Sequence, residues 1–274
     1  MPIELTTKYA QKVDERFSKG ALSTPSVNND YEFVGAATIK VTSVETVPLN
    51  DYKRSGSNRF GEPNELENDL QELTLTQDKS FAFTIDKMNE EETEMKAAEA
   101  LARQIREVVV PHVDTYRFAQ MVKNAGMVVE GALDEKTAYK SVTTATAALD
   151  EEDVPENRVL NASPEFISLI KNSDGYVKNS DLAQDRVVFK GQVAELDGMP
   201  VVSVPSKRLG KDVNFMICHK SATVAPIKLA EYRLHKDPPG ISGTLAEGRV
   251  YFDAFVLKNK KVSIYAHKKK AASK

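Results

Sequence analysis

The sequence is poor in the residues that mark a disulfide framework, a metal cluster or a membrane span. One cysteine, Cys218, occurs among 274 residues, and tryptophan is absent. A single thiol forms neither an internal disulfide nor a zinc cluster, and it suggests a reducing compartment. Runs of about 18 apolar residues are missing, and the first residues lack the pattern of a signal peptide. We therefore expect a soluble chain with no membrane partner.

Motifs for catalysis are also missing. The four histidines, His112, His219, His235 and His267, are far apart and form no HExxH pair, so we expect them at the surface or in an interface. His219 follows Cys218, but neighbours on a strand point to opposite faces, which excludes a nucleophile–base dyad. We interpret Cys218 as a small buried apolar residue. The sequence thus predicts no catalytic residue, no bound metal and no cofactor.

Charge is close to balanced. The net charge is −3, so the chain as a whole is not built to surround DNA. Acidic runs at 90–92 and 150–153 could bind a cation, but such runs are more typical of a helix start and a solvated loop. Lysines near the end are either a solubilising terminus or a surface that faces DNA. The candidate DNA-facing residues are Lys268, Lys269 and Lys270.

Residues 1–30 have the pattern of an extension. Tyr9, Val13 and Phe17 recur every four residues and give a short helix one apolar stripe. A helix of three or four turns is marginal alone in water. We expect these three residues to dock on another surface.

Two strand patterns, at 33–47 and about 72–85, flank the polar stretch 48–71. They predict a long two-stranded arm with a polar tip. Isolated two-stranded hairpins are marginally stable, so a neighbour must hold such an arm in place. The charged candidates for contacts between subunits are Asp51, Lys53, Arg54, Arg59, Glu62 and Glu65.

The strongest helix signal follows. Asn89 can cap a helix over about 90–110, with Glu92 completing a capping box. Pro111 is expected to end or kink this helix, and a shorter helix should follow to about residue 124. The predicted apolar stripe consists of Met95, Ala98, Ala102, Ile105 and Val109.

The second half is a mixed pattern of helices and strands. A helix is expected over 134–149, and a second should begin after the N-cap Ser163. Asp197-Gly198 predicts a hairpin turn. Strands are expected at 215–217, 249–257 and 262–265, so the class is α+β.

Taken together, the chain resembles the major capsid proteins of tailed bacteriophages. Order and spacing carry the resemblance over about residues 5–267. The segments that carry it are 31–35 with 38–41, 44–52 with Gly56 and 59–61, 78–86, 108–111 with Asp114 and 116–117, 158–160 with 163–165, 198–201, and 215–222.

The resemblance implies the Hong Kong 97 type capsid fold, with an N-arm and an extended β-hairpin arm (the E-loop) that reach over neighbouring subunits. It also implies a long spine helix, a peripheral domain and an axial domain. The expected regions are the N-arm at 1–30, the first part of the peripheral domain at 31–125 with the β-arm at about 47–84 and the spine helix at about 90–110, the axial domain at 126–225, and the return strands of the peripheral domain with a basic tail at 226–274.

The implied function is a non-enzymatic shell subunit that assembles into the icosahedral head enclosing double-stranded DNA. Its expected partners are other copies in pentamers and hexamers, a portal, a separate scaffold protein and, non-specifically, the DNA. Some members carry a long N-terminal scaffolding segment that is cleaved off. Because the N-arm here begins near Met1, we expect either that the chain is the mature form or that a separate scaffold protein is used. Lys53 is a conceivable donor for the covalent cross-link of other members. An encapsulin-like compartment and a soluble α+β enzyme remain alternatives.

Overall fold

The chain divides into two compact units in the computed structural model. We call Phe33–Leu75 the arm unit, and Met1–Glu32 with Thr76–Lys274 the body. The structure describes residues 21–28, 30–31, 38–44, 47, 49–56, 59–61, 65, 68–87, 97–173 and 195–270.

The arm unit contains an antiparallel ladder of β1 (Thr38–Val44) and β2 (Asn68–Thr74). Cross-strand side chains support the ladder. Thr38 Oγ1 lies 2.9 Å from Thr74 Oγ1, and Lys40 Nζ lies 3.0 Å from Glu72 Oε1. Pairs of this kind stabilise an antiparallel ladder by about 0.2–1 kcal/mol each.

The predicted strand at 72–85 is two strands. β2 ends at Thr74, and β3 (Gln77–Asp86) pairs with a different partner in the body. Alternation could not reveal the break, because the apolar residues on both sides of it occupy odd positions. The boundaries of the expected β-arm, about 47–84, stay a prediction. The described ladder begins with β1, before residue 47, and β3 is not part of it.

The body contains a three-stranded antiparallel sheet of β10 (Ile227–Lys236), β11 (Gly243–Phe252) and β3. A long helix packs on it. This helix consists of α1 (Ala97–Gln104), a π turn (Ile105–Val109) and α2 (Val110–Lys123). Apolar side chains from the helix and from β10 and β11 form one core cluster.

Pro111 does not end the helix, which continues to Lys123, close to the expected end at about residue 124. A proline inside an α-helix lacks an N–H and clashes with the carbonyl four residues earlier. Here a π turn comes directly before it, and the Val110 N–H donates to the Ile105 carbonyl, five residues back. The wider turn lets the chain remain helical through the proline.

The π turn also changes which face of the helix is buried. The buried apolar residues from its start to its centre are Ala97, Leu101, Ile105, Val110 and Val113. The step from Ile105 to Val110 is five residues, because a π turn inserts one residue. The predicted stripe is corrected after this turn, where Val110 is buried and Val109 is only half-buried. Before the turn, Ile105 is buried as predicted, but Ala98 and Ala102 are only half-buried, and Met95 lies outside the described residues.

A six-stranded mixed sheet forms another part of the body. Its strands are β4 (Met127–Glu130), β5 (Arg158–Ala162), β6 (Glu195–Leu196), β7 (Met199–Ser203), β8 (Val213–His219) and β13 (Ile264–Lys268). They lie in the order β4-β13-β8-β5-β7-β6.

Helices pack on both faces of this sheet. One face packs on α3 (Ala138–Glu151) and α4 (Pro164–Lys171), and the other on α2 and α5 (Ser206–Leu209).

The predicted N-cap and the predicted hairpin turn in the second half of the chain are confirmed. The Ser163 side chain accepts a hydrogen bond from the Phe166 N–H and caps α4. Asp197 and Gly198 both have positive φ and join β6 to β7 as the predicted two-residue turn. The helix expected over 134–149 is α3, and its fully buried apolar face consists of Ala138, Val142, Ala145 and Leu149.

The described strands after residue 226 lie in three sheets. β10 and β11 pair with β3, but β13 lies between β4 and β8 in the six-stranded sheet. The expected return of the terminal strands to the peripheral domain stays a prediction. A strand's apolar alternation does not identify its sheet. Between β11 and β13, β12 (Phe255–Val256) pairs with β9 (Thr223–Val224).

Candidate assembly surfaces

The tip of the arm unit contains a short closed loop. The Lys53 N–H donates to the Arg59 carbonyl at 2.9 Å, and Arg59 Nε donates to the Gly56 carbonyl at 3.3 Å. Gly56 and Gly61 have φ of 101° and 86°, a region that glycine occupies without strain. A Cβ at Gly61 would lie 2.8 Å from Asn50 Nδ2. The described residues of the tip are thus held together within the subunit.

The predicted charged residues of the tip face outward. Asp51, Lys53, Arg54, Arg59 and Glu65 are all exposed, while Glu62 lies outside the described residues. No salt bridge joins these five to another residue in the described part of the chain. Their charges are available to a partner.

Apolar side chains at the tip were missed by the sequence reasoning, which concentrated on charge. Leu49 is 101% exposed, Phe60 83% and Tyr52 53%. The Tyr52 and Phe60 rings meet edge to face, with centroids 5.1 Å apart. Covering one such side chain stabilises a complex by about 1.5–3 kcal/mol. The signal was present, because these apolar residues lie in an otherwise polar stretch.

The N-arm residues Tyr9, Val13 and Phe17 lie outside the described residues. The segment that follows is tied to the body. The Asn28 N–H donates to the Thr223 carbonyl at 2.9 Å, and the Ala225 N–H donates to the Asn28 carbonyl at 3.0 Å. Ser26 and Asn161 exchange side-chain hydrogen bonds at 2.8 and 3.1 Å. Residues 21–28 are therefore an integral part of the body.

A buried carboxylate holds the start of this segment. Asp114 on α2 is fully buried and accepts hydrogen bonds from the Leu22 N–H at 3.0 Å and from Ser23 Oγ at 2.7 Å. Arg208 Nη1 donates to the same carboxylate at 3.0 Å. Removing one partner of a buried ion pair costs about 3–5 kcal/mol, because the other charge is left unpaired. Asp114 is thus the main anchor of residues 22–23.

Arg117, one turn along α2, extends this cluster. Its Nη1 donates to Ser23 Oγ and its Nη2 to the Ala225 carbonyl, both at 3.1 Å. Desolvation lowers the pKa of Arg117 to about 10, and the negative charge of Asp114 opposes that shift. The guanidinium remains charged at neutral pH and serves as a structural cross-link.

The three candidate DNA-facing lysines differ in their surroundings. Lys268 is the last residue of β13, and its carbonyl accepts the Gly131 N–H at 3.1 Å. Lys269 Nζ lies 2.5 Å from Glu165 Oε2, so its charge is offset within the subunit. Lys270 is exposed. A DNA-facing role for all three remains a prediction.

Cys218 and His219 are adjacent and could suggest a catalytic pair, but their contacts are those of structural residues. Cys218 is fully buried, as predicted, and burial raises the pKa of its thiol to about 11. His219 Nδ1 lies 2.8 Å from Ser221 Oγ. In the described part of the chain, no three His, Cys, Asp or Glu residues cluster as metal ligands would. Among the described helices, none has the length and apolarity to cross a membrane.

His267 corrects the expectation that the histidines lie at the surface. It is buried on β13, and its ring stacks on Phe215 with centroids 5.2 Å apart. Asn214 Nδ2 lies 3.2 Å from its Nδ1. Desolvation lowers the pKa of His267. His235, by contrast, is exposed, with Nε2 3.5 Å from Glu247 Oε2.

Comparisons by sequence found no match, neither to a protein-family model nor to a curated protein. Solved structures do match. A structure from Mycobacterium phage Che8 superposes with a TM-score of 0.74 over 90% of both chains at 18% identity. The mature capsid of bacteriophage PhiM1 gives 0.68 at 12% identity, covering 88% of this chain and 84% of the other. The capsid of Cyanophage P-SCSP1u gives 0.67 at 11% identity, covering 90% and 86%.

The chain has the phage capsid fold. The expected α+β class and fold are thereby confirmed. Because the identities are 18% or lower, this chain shares with these structures the arrangement of the backbone rather than the individual residues. The division into an N-arm, peripheral domain and axial domain, with the boundaries given above, stays a prediction.

Proposed function

We propose that this chain is a major capsid protein, a non-enzymatic subunit that assembles with copies of itself into the icosahedral head of a tailed phage. The observation that carries the proposal is the superposition on phage capsid structures along about nine-tenths of the chain. The exposed tip of the arm unit supports it independently. A tip with Leu49 and Phe60 in water is suited to contact a neighbour.

Assembly of this kind depends on many weak contacts. Each subunit loses translational, rotational and side-chain entropy on joining the shell, and every contact must contribute toward that cost. Tip residues that are already held together lose less entropy when a neighbour covers them. Repeated heterologous contacts close into rings, which here would be pentamers and hexamers.

The other proposed partners follow from this role. The head would enclose double-stranded DNA, with non-specific contacts to lysines such as half-buried Lys268 and exposed Lys270. A net charge of −3 limits such contacts to local patches. A portal and a separate scaffold protein would act during assembly in the cytoplasm of the bacterial host. The final location would be the virion.

An encapsulin-like compartment is the rival with the same fold. The matching structures named above are phage structures, and those of PhiM1 and P-SCSP1u are described as capsids, which favours a DNA-enclosing head. An enzyme with Cys218 as its nucleophile is disfavoured, because burial raises the pKa of this thiol to about 11, which leaves little thiolate at neutral pH.

Negative-stain electron microscopy and sedimentation of the purified chain test the proposal, with the chain alone and co-expressed with its neighbouring genes. Closed shells or rings of five and six subunits are expected. Portal and terminase genes beside this one would support a phage head, and a cargo enzyme gene would support the rival. A monodisperse monomer under every condition would contradict the proposal.

A further inference from the structure

Buried hydrogen bonds connect two distant places on the body. The first is the segment at Leu22 and Ser23, which follows the N-arm. Ser23 Oγ donates to Asp114 at 2.7 Å and accepts from Arg117 Nη1 at 3.1 Å. Arg117 Nη2 then donates to the Ala225 carbonyl at 3.1 Å. The path therefore runs from the N-terminal segment through α2 to residue 225.

The second place is Thr76, the first body residue after the arm unit. Its N–H and its Oγ1 both donate to Asp253 Oδ2 at 2.8 Å. The other oxygen of Asp253, Oδ1, accepts from the Tyr116 hydroxyl at 2.7 Å. Asp253 is only 3% exposed, and its own N–H donates to the Pro226 carbonyl at 3.2 Å. One buried carboxylate thus fixes Thr76 to α2.

The two paths join into a closed ring. Tyr116 and Arg117 are neighbours on α2, and Ala225 and Pro226 are neighbours at the other side. If the pair Tyr116–Arg117 or the pair Ala225–Pro226 shifts, the hydrogen bonds of both paths shift with it. In a buried polar network, each bond depends on the geometry of the next, and a lost partner leaves the others unsatisfied.

We propose that this ring couples the anchoring of the N-terminal segment to the anchoring of the arm unit, so that loosening one loosens the other. The inference rests on the proposed function for its purpose, because both extensions would contact neighbours in a shell. We call residues 22–28 the first root and Thr76 the second root. A subunit in which these two roots are coupled meets its neighbours either with both roots ordered or with both loosened. Asp114, Arg117, Tyr116 and Asp253 are the positioning residues.

Hydrogen exchange of the purified full chain, read by mass spectrometry, tests the coupling without assembly. Ser23→Ala removes the hydroxyl at the first root. Tyr116→Phe removes the hydroxyl at the second root and keeps the ring that contacts Phe252, with centroids 5.6 Å apart. Thr115→Val is the matched control, because its hydroxyl bonds only the Pro111 carbonyl of its own helix among the described contacts.

Each variant should speed exchange about fivefold at its own root, the effect of losing one hydrogen bond. Coupling predicts that Ser23→Ala also speeds exchange at Thr76, by about twofold or more, and that Tyr116→Phe does the same at residues 22–28. The double variant should show less than the product of the single effects. Thr115→Val should change neither root.

Effects confined to the mutated root, with a multiplicative double variant, would overturn the inference. If Tyr116→Phe proves unstable, Thr76→Val gives the same test from the other donor to Asp253. Sedimentation of the same samples separates the two proposals. Shells with purely local exchange effects would sink the coupling alone, and coupled exchange without any assembly would sink the proposed function alone.

Discussion

Asn214 Nδ2 lies 3.2 Å from Nδ1 of His267, and an amide nitrogen can only donate. Nδ1 of His267 must therefore accept, which requires an imidazole without a proton on that nitrogen. The same ring is stacked on Phe215 in the core of the six-stranded sheet. With this hydrogen bond, the folded subunit favours an imidazole of His267 that carries no proton on Nδ1.

Stability should consequently fall in mild acid. Desolvation lowers the pKa of His267 in the folded state below its ordinary 6.5, so the unfolded chain binds the proton more readily. The contribution is fully present above about pH 6.5 and is lost as the pH falls through the folded pKa. Thermal unfolding of His267→Gln should depend less on pH between about 7 and 5 than that of the parent chain.

His219 shifts in the same direction, mainly through desolvation, so some pH dependence should remain in that variant. His235→Gln is the matched control, because His235 is exposed. Equal pH dependence of the parent and His267→Gln would contradict the assignment.

A substitution at Leu49 can separate an effect on assembly from an effect on the stability of the folded subunit. Because it is 101% exposed, Leu49→Ser should change the free energy of unfolding by less than about 0.5 kcal/mol. If a neighbour covers it, the concentration needed for assembly should rise roughly tenfold, since covering such a side chain contributes about 1.5–3 kcal/mol. Light scattering against subunit concentration measures this. Val262→Ser, at a 40% exposed body residue, is the control, and an unchanged threshold for Leu49→Ser would rule out a covered tip.

Arg59 tests the charged part of the same loop. Arg59→Glu reverses an exposed charge and leaves the backbone hydrogen bond between Lys53 and Arg59 possible. An exposed ion pair contributes about 0.2–1 kcal/mol, and salt screens it. We expect weaker assembly at low salt and a smaller difference from the parent at high salt. Lys140→Glu on α3 is the control, and assembly unaltered in both salts would count against Arg59.

Gly248 on β11 sits between Tyr232 on β10 and Phe81 on β3. A Cβ there would lie 2.4 Å from the Phe81 ring and 2.9 Å from Tyr232 Cδ1. Gly248→Ala should therefore destabilise the subunit by about 1–3 kcal/mol, the cost of overpacking a core. Chemical denaturation measures the change. Gly131→Ala, whose nearest atom would be 3.5 Å away, should be close to neutral; equal effects would mean that the rings move aside at little cost.

Features set by neighbouring residues could be predicted from the sequence. Ser163-Pro164-Glu165 contains its own cap, and Asp197-Gly198 contains its own turn conformation, so both were found correctly. The resemblance in motif order predicted the fold.

Features set by distant partners could not be predicted. The change of partner at Leu75 and Thr76 depends on Asp253, which lies far along the chain. The π turn before Pro111 moved the buried face by one residue, which a fixed helical period cannot show. His267 carries no local sign of burial, because the residues that cover it come from other strands. At the candidate site, charge marked the tip of the arm unit, but exposure of Leu49 could be seen only in the structure.

The placement of β13 has a consequence for the order in which the subunit is made. β4 is synthesised early, yet its described ladder partner is β13, and β8 also awaits that strand on one side. A ribosome-bound chain that has not yet released residues 264–268 therefore carries an incomplete sheet with two unpaired edges. If the chain assembles as proposed, nascent subunits would remain outside the assembly pool until β13 is inserted, so the chain's own topology would delay shell formation until translation has passed this strand.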